Sequence, residues 1–277
     1  MAVNVSDFEL IESAEDHIYE IYSIRAAPSG QDLGYVNKSK HEIQISLDIS
    51  EIDLTIKQSL SSLSSAQSST GFVCWQSATY FLDWLIGFES GPFYSMFNNK
   101  NSNLTVVELG TGVSGICASI LGPRVARYIA TDQKHILKLL QENINDNVVM
   151  VDSKKSTKKS TKIPPPHKIE VIEFDWEDID QGLYNCQSLG QSSSLPDIII
   201  ACDTIYNHYL IPHFINALKS LMSSTTIALV ALQMRDPVTL EDFISQLLRS
   251  DLKVYVIPDH MLTERLQKGF LIYYITL

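Results

Sequence analysis

From residue 104 onward the chain alternates short apolar runs with longer stretches of helical period. "LTVVEL" (104–109), "RYIAT" (127–131), "KIEVIEF" (168–174), "DIIIAC" (197–202) and "TIALVAL" (226–232) are almost continuously β-branched or apolar. That pattern predicts strands of a parallel sheet covered on both faces. "GICASILGPRV", "KHILKLLQENINDN" and "YLIPHFINALKSLM" between them predict helices, whereas 176–196 reads as rich in loop. After the helical "VTLEDFISQLLRS" come "LKVYVIP" and "FLIYYITL" with no helical pattern between them, so an antiparallel pair is expected there. Upstream, Trp75 in "CWQSATYFLDWL" (74–85) opens an amphipathic helix, and "SSLSSAQSST" (61–70) has the composition of a linker. These features divide the chain into an N-terminal extension, 1–70, and a main domain, 71–277. Within the extension, "YEIYSIR" and "HEIQISLDI" suit either an added β-hairpin or a docking arm.

The first of these strands runs into a glycine turn, "VVELGTGVSGI", with Gly110, Gly112 and Gly115 spaced as G-x-G-x-x-G. That spacing also serves dinucleotides, whose pyrophosphate is met by bare backbone N–H groups at a helix N-terminus. Glu108, two residues before the first glycine, gains nothing from such an anion and points to a ligand with a positive end. Asp132 follows the second strand, 20 residues past Gly112, and suits a carboxylate accepting ribose hydroxyls. It fits a nicotinamide enzyme equally well, and it would also serve to cap the helix starting near Lys134. Asp175 and Trp176 follow the third strand, and Cys202, Asp203 and Tyr206 stand at and after the fourth. In open α/β sheets these strand ends are where ligands bind.

Charge and composition narrow the partners. The formal net charge is −11, but "SKKSTKKSTKIPPPHK" (153–168) holds six of the 21 basic residues and no acid, which leaves the rest of the chain at −17. An acidic body disfavours a direct grip on nucleic acid and suits a basic partner. The lysine-rich stretch itself reads as a solvated inserted loop, with an electrostatic foot on RNA as the sharper alternative. Four scattered cysteines indicate neither a disulfide framework nor a zinc site. No apolar run approaches the roughly 20 residues that span a bilayer, and the acidic start "MAVNVSDFELIESAEDH" does not read as a secretory signal. A cytoplasmic protein is expected.

Seven strands ending in an antiparallel pair resemble the α/β, class I S-adenosylmethionine-dependent methyltransferase fold. Within it, E-x-G-x-G at Glu108, D-W at Asp175, D-x-x-Y at Asp203 and the early Trp75-x-x-Ala78 helix are similar to the seven-stranded protein lysine methyltransferases known as methyltransferase family 16. The resemblance implies S-adenosylmethionine as cofactor. Glu108, Gly110 and Gly112 would then lie on its methionine part, Asp132 on the ribose, and Asp175 with Trp176 on the adenine, with Trp75 and Cys202 alongside. Asp203 and Tyr206 would form the catalytic acceptor side, where a carboxylate can orient a lysine amine or relay its proton. Asp203 as a helix cap near Tyr209, with Tyr206 as packing, is the alternative. The implied partner is a basic protein, a ribosomal protein among the candidates, and the enzyme is expected to act as a monomer. An RNA or small-molecule methyltransferase and a catalytically idle binding module are the competing readings. The absence of N-P-P-Y after the fourth strand disfavours amide or base amino-group chemistry.

Overall fold

The computed structural model describes residues 5–25, 34–60, 70–99, 103–148, 168–189 and 195–277. The strands are β1 (Glu9–Leu10), β2 (Glu42–Leu47), β3 (Ile52–Lys57), β4 (Thr105–Leu109), β5 (Arg127–Asp132), β6 (Lys168–Glu173), β7 (Ile198–Cys202), β8 (Ile227–Gln233), β9 (Lys253–Val256) and β10 (Phe270–Thr276). The helices are α1 (Ala14–Ile24), α2 (Gln76–Gly87), α3 (Tyr94–Asn98), α4 (Ile116–Leu121), α5 (Leu137–Asn147), α6 (Ile179–Ser188), α7 (Leu210–Ser220) and α8 (Pro237–Arg249). The main sheet has the order β1-β9-β10-β8-β7-β4-β5-β6. β6, β5, β4, β7 and β8 run parallel, while β10 pairs antiparallel with both β8 and β9. The fold is the expected class I methyltransferase α/β arrangement. It carries eight strands and not the expected seven, because Glu9 and Leu10 pair antiparallel with Val256 and Tyr255 on the outer edge of β9.

Alternate residues of each strand feed two apolar cores, one on each face. Val106, Ile198, Ile200 and Leu229 join the core shared with α2, α4 and α5, while Val107, Leu109, Ile199 and Val230 join that of α1, α7 and α8. The period of two and the double covering explain the unbroken apolar runs.

Three sequence expectations change. "YEIYSIR" lies in and just after α1, whose Ile18 and Ile21 are buried, so it is not a strand. The hairpin instead joins β2 to β3, with Ile43, Ile45, Leu47, Leu54 and Ile56 buried on one side. Asn143 and Asn147 of α5 donate to the Lys57 and Thr55 carbonyls of β3 and accept from the same residues' N–H groups, at 2.8–2.9 Å. That pairing satisfies an edge that would otherwise stand open. The described residues of the extension, 5–25 and 34–60, pack against the main fold through β1, α1 and the hairpin. Finally, the loop-rich 176–196 contains α6, capped by Asp178. The lysine-rich stretch, short of Lys168, and residues 61–69 of the linker lie outside the described residues.

Candidate active site

The carboxyl ends of β4, β5, β6 and β7 open into one cleft. Its walls include every residue expected to bind cofactor or acceptor, Trp75, Glu108, Gly110, Gly112, Asp132, Asp175, Trp176, Cys202, Asp203 and Tyr206, but not Gly115 of the glycine turn. The parallel strands stop in register, so residues far apart in the chain reach the same opening.

Glu108 is buried at the floor, and Tyr128 donates its hydroxyl proton to Glu108 Oε2 at 2.8 Å. Loss of water pushes its carboxyl up to about 7, although the hydrogen bonds from Tyr128, Cys117 and Thr111 oppose the shift. Asp132 is held by the N–H groups of Gly112 (2.7 Å) and Gln133 (2.8 Å), and burial still raises it to about 6. It ties the glycine turn after β4 to the end of β5 and does not cap α5, which starts only at Leu137. Asp175 accepts from Gln133 Nε2 at 3.1 Å and from the Glu177 N–H at 3.1 Å. Trp176 meets Phe214 of α7 edge-on, with ring centroids 5.2 Å apart. Cys202 lies 4.0 Å from Cys117, sulfur to sulfur, beside Glu108.

Around Asp203 the structure departs from the helix-cap alternative. Asp203 caps no helix; Asn207 Oδ1 accepts the Tyr209 N–H at the start of α7. Asp203 adopts a left-handed backbone, φ +58, and donates its N–H to the Ala231 carbonyl at 2.8 Å. Both of its carboxylate oxygens accept from Arg235, Oδ1 from Nη1 at 2.6 Å and Oδ2 from Nη2 at 2.5 Å. Arg235 also donates to Gln233 Oε1 at 2.9 Å, and its guanidinium carbon sits 5.2 Å from the centre of the Trp75 ring. Trp75 stacks on Tyr35 at 4.4 Å and donates its indole N–H to the Thr70 carbonyl at 3.1 Å. A second hollow adjoins the first and shares Thr70, Trp75, Asp203 and Tyr206 with it, adding Tyr35, Gln233, Arg235 and Asp236. Tyr35 and Arg235 escaped the sequence reading. Arg235 lies two residues beyond β8, a strand-end position that could have flagged it, but "LQMRDP" matches no motif.

A family model described as lysine methyltransferase matches residues 50–250, well over half of the chain. The chain belongs to the lysine methyltransferase family. As a lysine methyltransferase it takes its methyl group from S-adenosylmethionine. The residues present fit that cofactor, because the cleft offers four carboxylates to a cationic ligand, Asp203 among them already paired with Arg235, and the buried hydroxyl of Thr204, on its wall, has no hydrogen-bond partner among the described residues. Ribosomal lysine N-methyltransferase 5 of Lachancea thermotolerans is 27% identical over 94% of this chain and 95% of its own length. The protein of the same name from Vanderwaltozyma polyspora is 29% identical over 91% of this chain and 94% of its own. A diaminohydroxyphosphoribosylamino-pyrimidine deaminase of Schizosaccharomyces pombe is 30% identical over 84% of this chain but only 52% of its own length. Among the described residues no helix is long and apolar enough to cross a membrane.

Proposed function

We propose that this lysine methyltransferase modifies a lysine of a basic protein, specifically a protein of the large ribosomal subunit, and that it works as a cytoplasmic monomer whose contact with nucleic acid is at most indirect. The relatives named for ribosomal lysine methylation, matched over nearly their whole length, support the substrate class. The acidic balance of the chain supports a basic partner. The observation that carries the reading is the pair of hollows sharing a wall of Trp75, Asp203 and Tyr206, one lined with acids and the other opening beside it.

In this reading the first hollow holds the cofactor. Glu108 faces the methionine ammonium beside the Gly110 and Gly112 backbone, Asp132 takes the ribose hydroxyls, and Asp175 takes the adenine amine with Trp176 against the ring. Trp75 and Cys202 border the donor. When bound, S-adenosylmethionine supplies an electrophilic methyl on sulfur. The chain then has to present a neutral amine in line with it, although free lysine has a pKa near 10.4. The second hollow desolvates the lysine stem against the stacked Tyr35–Trp75 pair and Tyr206, which favours loss of the ammonium proton. Alignment against the wall at Asp203 and Tyr206 supplies most of the acceleration.

Acid-extracted ribosomal proteins incubated with the enzyme and isotopically labelled cofactor, then weighed intact, test the proposal. One large-subunit protein should gain methyl mass on a lysine. Labelling of RNA alone, or of no ribosomal protein, would refute it.

A further inference from the structure

We propose that Arg235 is a positioning residue for methyl transfer, holding Asp203 and Trp75 in the wall between the two hollows so that Asp203 acts as an oriented, ion-paired group and not as a free proton acceptor. The proposal rests on the reading of these hollows as cofactor and lysine sites.

Asp203 has a side chain only 1% exposed, whereas that of Arg235 is 21% exposed. A carboxylate removed from water this far needs a partner, and Arg235 meets both oxygens at 2.5–2.6 Å in the two-toothed arrangement that a planar guanidinium alone provides. With both oxygens engaged end-on by the two terminal guanidinium nitrogens, the carboxylate is poorly placed to take a proton from an arriving amine. The pair also bridges the exits of two neighbouring strands, because Asp203 follows the last residue of β7 and Arg235 lies two beyond β8. The same guanidinium lies over Trp75, the residue preceding α2. One side chain therefore sets the spacing between two strand ends and the helix that closes the cleft. Gly34 and Tyr35, upstream of the matched family region, complete this assembly. Gly34 accepts the Gln76 N–H at 2.8 Å, and a Cβ on it would lie 2.9 Å from Arg235 Nη2.

The test compares full-length wild type with Arg235→Met, Arg235→Lys, Asp203→Asn and the Arg235→Met/Asp203→Asn double variant. Acid-extracted large-subunit ribosomal proteins serve as acceptor, and S-adenosylhomocysteine is used for calorimetry. Arg235→Met should lower kcat by about 30-fold or more while the dissociation constant for S-adenosylhomocysteine stays within about threefold. Arg235→Lys keeps the charge but loses the fork, so it should recover only a small part of that loss. Adding Asp203→Asn to Arg235→Met should cost less than about a further threefold, because the two act as one unit. Fluorine NMR of 5-fluorotryptophan protein, with the Trp75 signal assigned by Trp75→Phe, should show that signal displaced in both Arg235 variants.

A folded Arg235→Met enzyme within about twofold of wild-type kcat, full rescue by lysine, or losses that multiply would each overturn the proposal. If Arg235→Met fails to fold, Arg235→Lys carries the same comparison. If wild type labels no ribosomal protein, the substrate reading falls, and the positioning role is decided by the Trp75 signal; a signal unmoved by either substitution overturns it.

Discussion

At Gly110 the backbone turns with φ +71, and a Cβ there would stand 2.8 Å from Thr204 Cγ2 and 3.0 Å from Trp176 Cζ2. Gly110→Arg therefore strains the turn and fills the cleft while leaving the sheet's apolar core intact. Calorimetry should detect no binding of S-adenosylhomocysteine to the folded variant; unchanged affinity would remove the proposed methionine site. Glu108 carries a second expectation. Its carboxyl ordinarily titrates near 4.5 and in the fold near 7, so between these values the unfolded chain has released a proton that the folded chain keeps. Its stabilising contribution is complete below 4.5 and is lost as pH rises to about 7, by about 3 kcal/mol at most. Asp132, raised to about 6, acts in the same direction over a lower range. Ligand-free Glu108→Gln protein should thus gain melting temperature over wild type at pH 8 and not at pH 4.5. A bound ammonium favours the Glu108 carboxylate, so affinity for S-adenosylhomocysteine should rise as pH approaches 7, more steeply in wild type than in Glu108→Gln. A difference-free pair of pH profiles would disconnect Glu108 from the ammonium. That Glu108, Asp132 and Asp175 would face one cleft was legible in the sequence because each stands at or just beyond the carboxyl end of a strand and their local motifs are continuous in the chain. Arg235 was not, since its meaning depends on β7 and β8 lying side by side, which no local pattern records.

Elements divide along the same line. The parallel strands β4, β5, β7 and β8 were readable because both faces are largely buried and most of their residues are apolar. α6 was not, for Gly182 sits in its middle and weakens the helical pattern. The fold needs that glycine, because a Cβ there would lie 2.7 Å from the Phe174 ring. α1 was misread because its tyrosines and isoleucines also suit a strand. α1 packs on α8, with Ile18 and Ile21 buried, and His17 Nε2 lies 3.0 Å from the Tyr273 hydroxyl on β10. Desolvation, helped by the charge of Arg25, lowers His17 from 6.5 to about 4. The stability tied to neutral His17 is present above 6.5 and is lost as pH falls towards 4, by up to about 3 kcal/mol. The melting-temperature penalty of His17→Gln should accordingly shrink between pH 7.5 and pH 4.5; a constant penalty would mean that the histidine does not titrate in this way. Removing residues 5–25 also exposes the partners of Phe8, Ile11, Ile18 and Ile21. At about 1.5–3 kcal/mol for each large apolar side chain, the loss should lower the melting temperature by more than about 10 °C or abolish soluble protein. A truncated chain melting like wild type would show that this packing contributes little to stability.

On the scale of the whole molecule, the net charge of −11 sets long-range attraction towards a basic acceptor. Encounter with ribosomal protein should slow as salt is raised from about 50 to 300 mM, so that kcat/KM falls several-fold while the affinity for S-adenosylhomocysteine changes little. A salt-independent kcat/KM would argue against electrostatic steering. The added strand at the sheet edge also bears on how the chain is made. Glu9 and Leu10 pair with Val256 and Tyr255, so during synthesis this segment meets its partner only after every element from α1 to β9 has been made. At the usual elongation rate of about 5–20 residues per second, that wait is roughly 10–50 s. During it the parallel strands can assemble around β4, and the edge of the sheet closes late. The clasp of β1 on β9 is thus a late seal on the sheet, and a truncated translation product ending before β9 would lack it.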